Sequence, residues 1–419
     1  MRISTLQIFN IANNSMADAN NALVKTQEQI ATGRRVLTPS DDPVAATKIL
    51  SLNNELAVIG QYENNIDIAR TNLVQEENAL ASVNNLLQGM QELAVQAANT
   101  ATLSSTEYSA LASEVDSSIE ELKNLMNTQN SNGDYVFGGY QSRNQPFTGN
   151  ALDGFTYHGD DGDHQITVAN GTTIAASDSG KSIFMDIDSV NNTINTYPSS
   201  ANTSVPALSI SIGQVIDQEA YDEFYPEDMV ISFNQDSNIS PAGKNFTITE
   251  KSTGRNLVEN RPYSSGEDIV INGVSVKIQG DPTSATASTH GDRLFVDSTQ
   301  KQDMLTTLSR FSEAMKDFDG TPESREFLSE TIAATLTNLD HAQTSVSEVT
   351  SKVGARLNTL DSIETLHTDT KLITEEFLSD LQDLDYAEAA TRLSAQSLVL
   401  QAAQSSFLRV SQLSLFNQL

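Results

Sequence analysis

The sequence predicts an α+β multidomain protein in which long helices at both chain ends flank a β-rich middle portion. Apolar residues recur every seven positions near both ends, which is the spacing of helices that pack side by side in coiled coils. From about residue 141 to 302 the pattern changes to short alternating runs separated by Gly, Asn and Asp. We therefore expect a long α-helical coiled-coil bundle formed by both chain ends, with a β-rich domain inserted between them.

The first predicted helix carries one apolar stripe and ends within the segment QIATGRRVLTPSDDPVAATKIL. Gly33 can adopt the positive φ that often ends a helix, and Pro39 predicts an extended connection. Asp42 followed by Pro43 is typical of a helix start, because the carboxylate accepts free N–H groups and proline suits the first helical position. The stripe consists of Phe9, Met16, Leu23 and Ile30; the junction consists of Gly33, Arg34, Arg35, Pro39, Ser40, Asp41, Asp42 and Pro43.

The second predicted helix runs from about residue 43 to 99 and also keeps a seven-residue apolar spacing. Ser104 and Glu107 have the spacing of a capping box, which predicts a third helix after them. In the middle portion, Asn272-Gly273 between two alternating runs predicts a tight hairpin. Helical periodicity returns after about residue 303. The stripe of the second helix is Leu52, Ile59, Ile66, Leu73, Leu80, Leu87 and Ala94; that of the last helix is Tyr386, Leu393, Leu400 and Phe407.

Composition excludes several classes of partner and site. The formal charge of −31 over 419 residues argues against nucleic acid and anionic membranes as partners. No apolar run reaches the roughly 18 residues of a membrane span, and the opening segment lacks the apolar core of a signal peptide, so these criteria alone predict a cytoplasmic protein. The absence of cysteine excludes disulfides and cysteine-based metal or redox sites.

The two chain ends are nearly neutral and rich in amide and hydroxyl side chains, although the protein as a whole is strongly acidic. Such a surface suits packing against further helices without burying charge. An ordinary bundle within one chain would show the same features, so composition leaves both interpretations open. The candidate assembly residues are Ile3, Leu6, Phe9, Met16, Leu23, Ile30, Leu393, Leu400, Phe407, Val410, Leu413, Leu415 and Phe416.

No catalytic, cofactor or metal site is predicted. The segment HGDDGDH, residues 158–164, could gather carboxylates around a cation, but its spacing does not match an EF-hand, and a solvated turn between two strands is the simpler interpretation. The pair Gly138-Gly139 lacks a phosphate-loop pattern and more simply serves a tight backbone path. Asp383 and Asp385 are expected to lie two apart on a helix, where they cannot share a face.

Three segments resemble the flagellin superfamily, and within it the hook-associated proteins of the hook-filament junction. They are the opening MRISTLQIF, the junction TGRRVLTPSDDPVAA and the closing DYAEAATRLSAQSLVLQAAQSSFLRVSQLSLFNQL. The resemblance covers both ends but not the middle portion. Filament flagellin is similar in architecture, but it usually has an Ile-Asn-Thr-Asn run near the start and lacks the Leu-Ser-Leu-Phe found at residues 413–416.

The resemblance implies a structural, non-enzymatic protein of the bacterial flagellum, secreted by type III export without a cleaved signal peptide, in place of the cytoplasmic prediction. It implies an inner-tube domain (residues 1–41 with 381–419), a helical bundle domain (42–140 with 303–380) and a β-rich outer domain (141–302) of one or two subdomains. The implied partners are other copies in a ring, flagellin, the neighbouring hook-associated protein and an export chaperone. Alternatives are a filament flagellin or a flagellar stem carrying a ligand-binding β domain.

Overall fold

The computed structural model describes residues 5–99 and 103–416, with helices towards both ends and strands mainly between them. This arrangement confirms the predicted fold class. The α-helices are α1 (Thr5–Thr32), α2 (Pro43–Ala97), α3 (Ser105–Met126), α4 (Gln218–Phe224), α5 (Met304–Lys316), α6 (Pro322–Gln382) and α7 (Tyr386–Phe416).

The strands form antiparallel sheets in the middle of the chain. They are β1 (Phe147–Asn150), β2 (Gly154–Tyr157), β3 (Gln165–Ala169), β4 (Thr172–Ala175), β5 (Ile187–Pro198), β6 (Ser209–Ile210), β7 (Gln214–Val215), β8 (Met229–Phe233), β9 (Asn245–Glu250), β10 (Asn256–Pro262), β11 (Asp268–Ile271), β12 (Val274–Gln279) and β13 (Arg293–Gln302).

The chain divides into two compact units. Residues 1–65 and 361–419 form one unit, which we call the terminal unit, and residues 66–360 form the other, which we call the central unit. The three-domain division expected from the sequence stays a prediction.

In the central unit, the predicted stripe of α2 lies in the core. Its members from residue 66 onwards are at most 1% exposed: Ile66, Leu73, Leu80, Leu87 and Ala94. The capping box before α3 is also confirmed, because Ser104 Oγ accepts from the backbone N–H of Glu107 and the Glu107 carboxylate accepts from that of Ser104. Local sequence therefore fixes both where α3 begins and which face of α2 is buried.

The β core lies between a five-stranded and a four-stranded sheet. The five-stranded sheet has the order β10-β9-β8-β13-β5, and the other has the order β11-β12-β6, with β7 also paired to β12. The predicted hairpin joins β11 to β12, with positive φ at both Asn272 (46°) and Gly273 (75°). The buried core residues include Ile194, Ile210, Tyr221, Ile231, Phe233, Phe246, Ile248, Val276, Ile278, Leu294 and Val296.

Strand β5 is the largest element that the sequence did not predict. Its sequence IDSVNNTINTYP lacks a regular alternation of apolar and polar residues. The pairing with β13 shifts register between Thr299 and Lys301, and such an irregularity changes which side chains face the core. The strand is specified by its neighbour rather than by its own pattern.

Candidate assembly site: the terminal helices and their junction

In the terminal unit, α1 packs against α7 along the stripes predicted from the sequence. The rings of Phe9 and Phe407 lie 5.1 Å apart between centroids. The stripe residues Met16, Leu23, Ile30, Leu393 and Leu400 are each half-buried. Within one chain, therefore, the two stripes partly cover each other, and their further role as assembly residues stays a prediction.

The side chains of the remaining candidate assembly residues are not described in the structure. Ile3 lies outside the described residues. Leu6 belongs to α1, but its side chain is not described. The same holds for four residues within the described backbone of α7, namely Val410, Leu413, Leu415 and Phe416.

Other apolar side chains of α1 and α7 point to solvent. Each is between 44% and 67% exposed, and none belongs to the predicted stripes: Ile11, Val24, Leu398, Val399 and Leu408. We call these five residues the outer apolar set. The sequence contained a signal for them, because they are large apolar residues off the heptad positions of nearly neutral helices.

A polar cluster interrupts the apolar contact between α1 and α7. Thr26 and Gln29 of α1 are buried, at 2% and 8% exposure. Gln29 Oε1 accepts from Arg392 Nη2 at 3.0 Å, while Gln29 Nε2 donates to the carbonyl of Arg35 at 2.6 Å. A polar pair in an apolar seam disfavours shifted registers, because sliding the helices would leave the buried Gln29 Oε1 without its partner. Gln29 thus also ties α1 to the junction.

The junction after α1 is hydrogen-bonded to a second linker, residues 383–385, between α6 and α7. The carbonyl of Gly33 accepts from Leu384 N at 2.9 Å, and Arg35 N donates to the carbonyl of Gln382 at 2.7 Å. Arg34 and Asp383 form an antiparallel bridge. We call this pair of linkers the clasp. It brings together two breaks that are about 350 residues apart in the sequence.

The clasp corrects the prediction for the two acids. Asp383 and Asp385 do not lie within a helix, because α6 ends at Gln382 and α7 begins at Tyr386. The Asp385 carboxylate accepts from the backbone N–H groups of Ala387 and Glu388, which makes it the cap of α7. The sequence there has neither Gly nor Pro, but Asp385 followed three residues later by Glu388 has the spacing of a capping box, a local signal for the start of α7 that the sequence prediction missed.

The first linker is a compact turn, which corrects the expected extended connection at Pro39. Asp41 N donates to the carbonyl of Thr38 at 3.0 Å, which places Pro39 at the second position of a β-turn, where proline is favoured. The Asp41 carboxylate accepts from Lys25 Nζ and from the backbone N–H groups of Thr38 and Leu37. The bond from Lys25, followed by that from Thr38, lowers the pKa of Asp41 to about 2.

The start of α2 follows its prediction. Asp42 Oδ1 accepts from the backbone N–H of Ala45 at 2.9 Å, and Pro43 is the first helical residue. Gly33 has a φ of 70° and ends α1 as expected. The linker is therefore fixed by the positive φ of Gly33 at one end and by the Asp42 cap at the other, while its role as an inter-domain junction stays a prediction.

The acidic turn of residues 158–164 lies between β2 and β3 and packs against the predicted tight path at Gly139. Asp160 Oδ1 accepts from the backbone N–H groups of Tyr140 and Gly162, at 2.8 and 2.9 Å. A Cβ on Gly139 would lie 2.3 Å from Asp160 Oδ1, so glycine is required there. The described residues contain no group of three or more His, Asp or Glu side chains that could hold a metal ion.

Models of both helical regions of bacterial flagellin match the chain. The bacterial flagellin N-terminal helical region matches residues 3–142, and the C-terminal helical region matches residues 336–419. The chain belongs to the flagellin family. The two matches cover both ends and leave out the β-rich portion, as the sequence resemblance does. Within the described residues, no helix is both long enough and apolar enough to span a membrane.

Within the flagellin family, the similarity is greater to hook-associated proteins than to filament flagellins. Flagellar hook-associated protein 3 of Salmonella typhimurium is 34% identical over 191 residues, covering 45% of this chain and 58% of that protein. A flagellin of Listeria monocytogenes is 27% identical over 113 residues, covering 27% of this chain and 39% of that protein. The matches span about half the length of the curated hook-associated relatives.

A solved structure extends the comparison through most of the chain. The crystal structure of flagellar hook associated protein-3 from Legionella pneumophila is 26% identical, with a TM-score of 0.52. The match covers 80% of this chain and 98% of that chain. These comparisons confirm the predicted resemblance to hook-associated protein 3 and favour it over filament flagellin.

Proposed function

We propose that this chain is a structural component of the bacterial flagellum, an adaptor at the hook-filament junction that links the hook-associated assembly to the flagellin filament. The observation that carries the proposal is the match to hook associated protein-3 from Legionella pneumophila, which extends over 98% of that chain. The role requires no catalytic step, because helices that bury apolar surface against neighbours supply the binding energy.

The outer apolar set provides surface for such contacts. Most stripe residues hold α1 to α7, whereas the five residues of the outer apolar set, and in part the stripe residues Phe9 and Tyr386, present apolar surface to neighbouring helices. In this proposal the clasp holds the α1–α7 pair as one unit, and copies of the chain form a ring through these helices. Flagellin and the neighbouring hook-associated protein would bind on either side of the ring.

Delivery to the junction requires export. We propose that the chain leaves the cell through the flagellar type III exporter without cleavage of a signal peptide, and that a chaperone covers the C-terminal helix beforehand. An apolar helix surface needs such cover before assembly, because it would otherwise promote aggregation. Filament flagellin remains the alternative function, since flagellins also match the chain.

Localisation on intact cells distinguishes the two functions. An epitope tag inserted at Ser288, in an exposed loop between β12 and β13, avoids the acidic turn that packs against Gly139. Immuno-electron microscopy should show a single band between hook and filament. Labelling along the entire filament would instead identify a flagellin, and labelling confined to the cytoplasm would refute both functions.

Removal of α7 tests the role of the terminal helices. A chain ending at residue 385 keeps all strands and the helices of the central unit, so it should be soluble and retain its β signal in circular dichroism. It should not be incorporated at the junction, because α1 has lost its partner and three of the five residues of the outer apolar set are gone. Incorporation of the truncated chain would contradict the assignment of these helices.

A further inference from the structure

Glu76 is a fully buried carboxyl group in the central unit, at 0% exposure. It lies on α2 where the segment of residues 176–180, after β4, meets α2 and α6. Glu76 Oε1 accepts from the backbone N–H of Asp178 at 3.2 Å. Glu76 Oε2 is buried and has no hydrogen-bond partner among the described residues. If Glu76 is ionised, therefore, only one of its two carboxylate oxygens has a hydrogen-bond partner among the described residues.

The same segment is held to α6 by an ion pair. Arg356 donates two parallel hydrogen bonds to the Asp178 carboxylate, through Nη1 at 2.5 Å and Nη2 at 2.9 Å. This bidentate geometry is the strongest form of an arginine-carboxylate pair. Asp178 thus joins the segment to both helices, through its backbone to α2 and through its side chain to α6.

The charges around Glu76 do not favour its ionisation. An ionised Glu76 would place two carboxylates beside one guanidinium, whose fork is already occupied by Asp178. The bond to Asp178 raises the pKa of Arg356, and the negative charge of Asp163, on the turn before β3, also helps to raise it. Burial first, and then the negative charge of Asp178, raise the pKa of Glu76, and the nearby Arg356 offsets this only in part.

We propose that residues 176–180 form a proton-dependent latch, which is closed on α2 and α6 when Glu76 is protonated and opens when Glu76 ionises. Protonation removes the excess negative charge and turns Oε2 into a hydroxyl that can donate a hydrogen bond. Ser177 Oγ, in the same segment, is another buried atom without a hydrogen-bond partner among the described residues. The latch is a property of the central unit and does not depend on the assembly role.

The direction of the pH effect follows from linkage. Because the pKa of Glu76 is higher in the closed form than in the open form, the closed form binds the proton more tightly. Its stabilising effect is complete below about pH 4.3, the ordinary value for glutamate. It is lost as the pH rises towards the raised pKa, so the latch opens on the alkaline side.

Opening would also free neighbouring contacts of the segment. Ser179 Oγ donates to the carbonyl of Asp160 at 2.7 Å, and Gly180 N donates to the carbonyl of Phe137 at 3.0 Å. These bonds connect the latch to the acidic turn and to the chain after α3. Raising the pH would loosen this connection before the β core unfolds.

Thiol labelling tests the latch in the full-length protein. The natural chain has no cysteine, so Ser177→Cys places one reactive group in the buried segment. Its labelling rate is compared with that of Ser177→Cys/Glu76→Gln at each pH from 5 to 9, and the comparison cancels the effect of thiol ionisation on the rate. The labelling rate of Ser177→Cys divided by that of Ser177→Cys/Glu76→Gln should rise by up to about tenfold per pH unit. Only the protein that keeps Glu76 releases a proton when the latch opens.

Two controls separate the latch from other effects. Glu92 is an exposed residue of the same helix, and adding Glu92→Gln to Ser177→Cys should leave the labelling rate unchanged. Ser309→Cys places a thiol at another buried serine, on α5, and its labelling should not depend on the residue at position 76. A ratio independent of pH would overturn the proposal, and so would an equal rise at both thiols, which would indicate global unfolding.

A cysteine-free measurement covers the case in which Ser177→Cys does not fold. The urea midpoint of the natural chain should fall relative to that of Glu76→Gln between pH 5 and 9, since glutamine keeps the acceptor for Asp178 N without ionising. Equal pH dependence of the two proteins would refute a role for Glu76.

Discussion

At the scale of the single residue, Arg310 on α5 shows how one side chain joins a helix to the β core. Its N–H groups donate to the carbonyls of Gly213, Ile194 and Ile212, and to the side chains of Thr193 and Gln302. All five donors therefore meet uncharged acceptors from three parts of the chain. Burial lowers the pKa of Arg310 to about 10, which still leaves it charged at neutral pH.

Arg310→Lys should therefore be strongly destabilising even though it keeps the charge. Lysine has three donors and no planar fork, so at least two buried acceptors would lose their partner. We expect the free energy of unfolding to fall by about 2–4 kcal/mol. Urea unfolding followed by circular dichroism measures this. Arg325→Lys, at an exposed position, is the matched control, and an equal effect of both would contradict the argument.

Asp41 makes a pH-dependent contribution in the opposite sense to Glu76. Its pKa of about 2 lies below the ordinary value, so its stabilisation is present above about pH 4 and is lost as the pH falls towards 2. Asp41→Asn should reduce the difference between the free energies of unfolding at pH 5 and at pH 2, because asparagine does not ionise. Urea midpoints of both proteins across this range provide the test, and parallel curves would exclude Asp41 as the cause.

At the scale of the element, Gly33 shows why the clasp needs glycine. Its φ is 70°, and a Cβ there would lie 3.0 Å from the Tyr386 hydroxyl. Gly33→Ala should cost about 1–3 kcal/mol. Gly171 is a matched control, because it has a similar φ of 73° but open space around its Cβ position. If urea unfolding shows that Gly171→Ala lowers the free energy of unfolding as much as Gly33→Ala does, the contact with Tyr386 contributes nothing to the effect at Gly33.

The elements that the sequence predicted are those with strong local signals. Gly33, Asp42-Pro43, the Ser104 capping box and Asn272-Gly273 each act on the backbone through their own chemistry. The break at residues 383–385 combines a local signal, the Asp385 cap of α7, with hydrogen bonds to residues 33–35, whereas β5 depends on β13. Heptad spacing located the seam between α1 and α7, but it could not show that Gln29 would be buried there, since that depends on Arg392 of the other helix.

At the scale of the whole molecule, the division between buried and exposed apolar residues of α1 and α7 matters for assembly. The heptad stripes predicted assembly residues, yet in one chain most of those positions partly cover each other, and of the described stripe side chains only Phe9 and Tyr386 are as exposed as the outer apolar set. The outer apolar set remains exposed although it lies on the same two helices. Contacts between chains should therefore depend more on the outer set than on the stripes.

Leu398→Gln combined with Val399→Gln tests this distinction. Both residues are exposed, at 67% and 58%, so the stability of the free chain should change by no more than about 0.5 kcal/mol. The altered protein should be exported but collect in the medium, because it lacks apolar area to bury against its neighbours. Immunoblots of medium and of purified flagella measure the partition. Val270→Gln, an equally simple change of an exposed valine on β11, should leave incorporation intact. Normal incorporation of the double variant would mean that the chains meet through another surface.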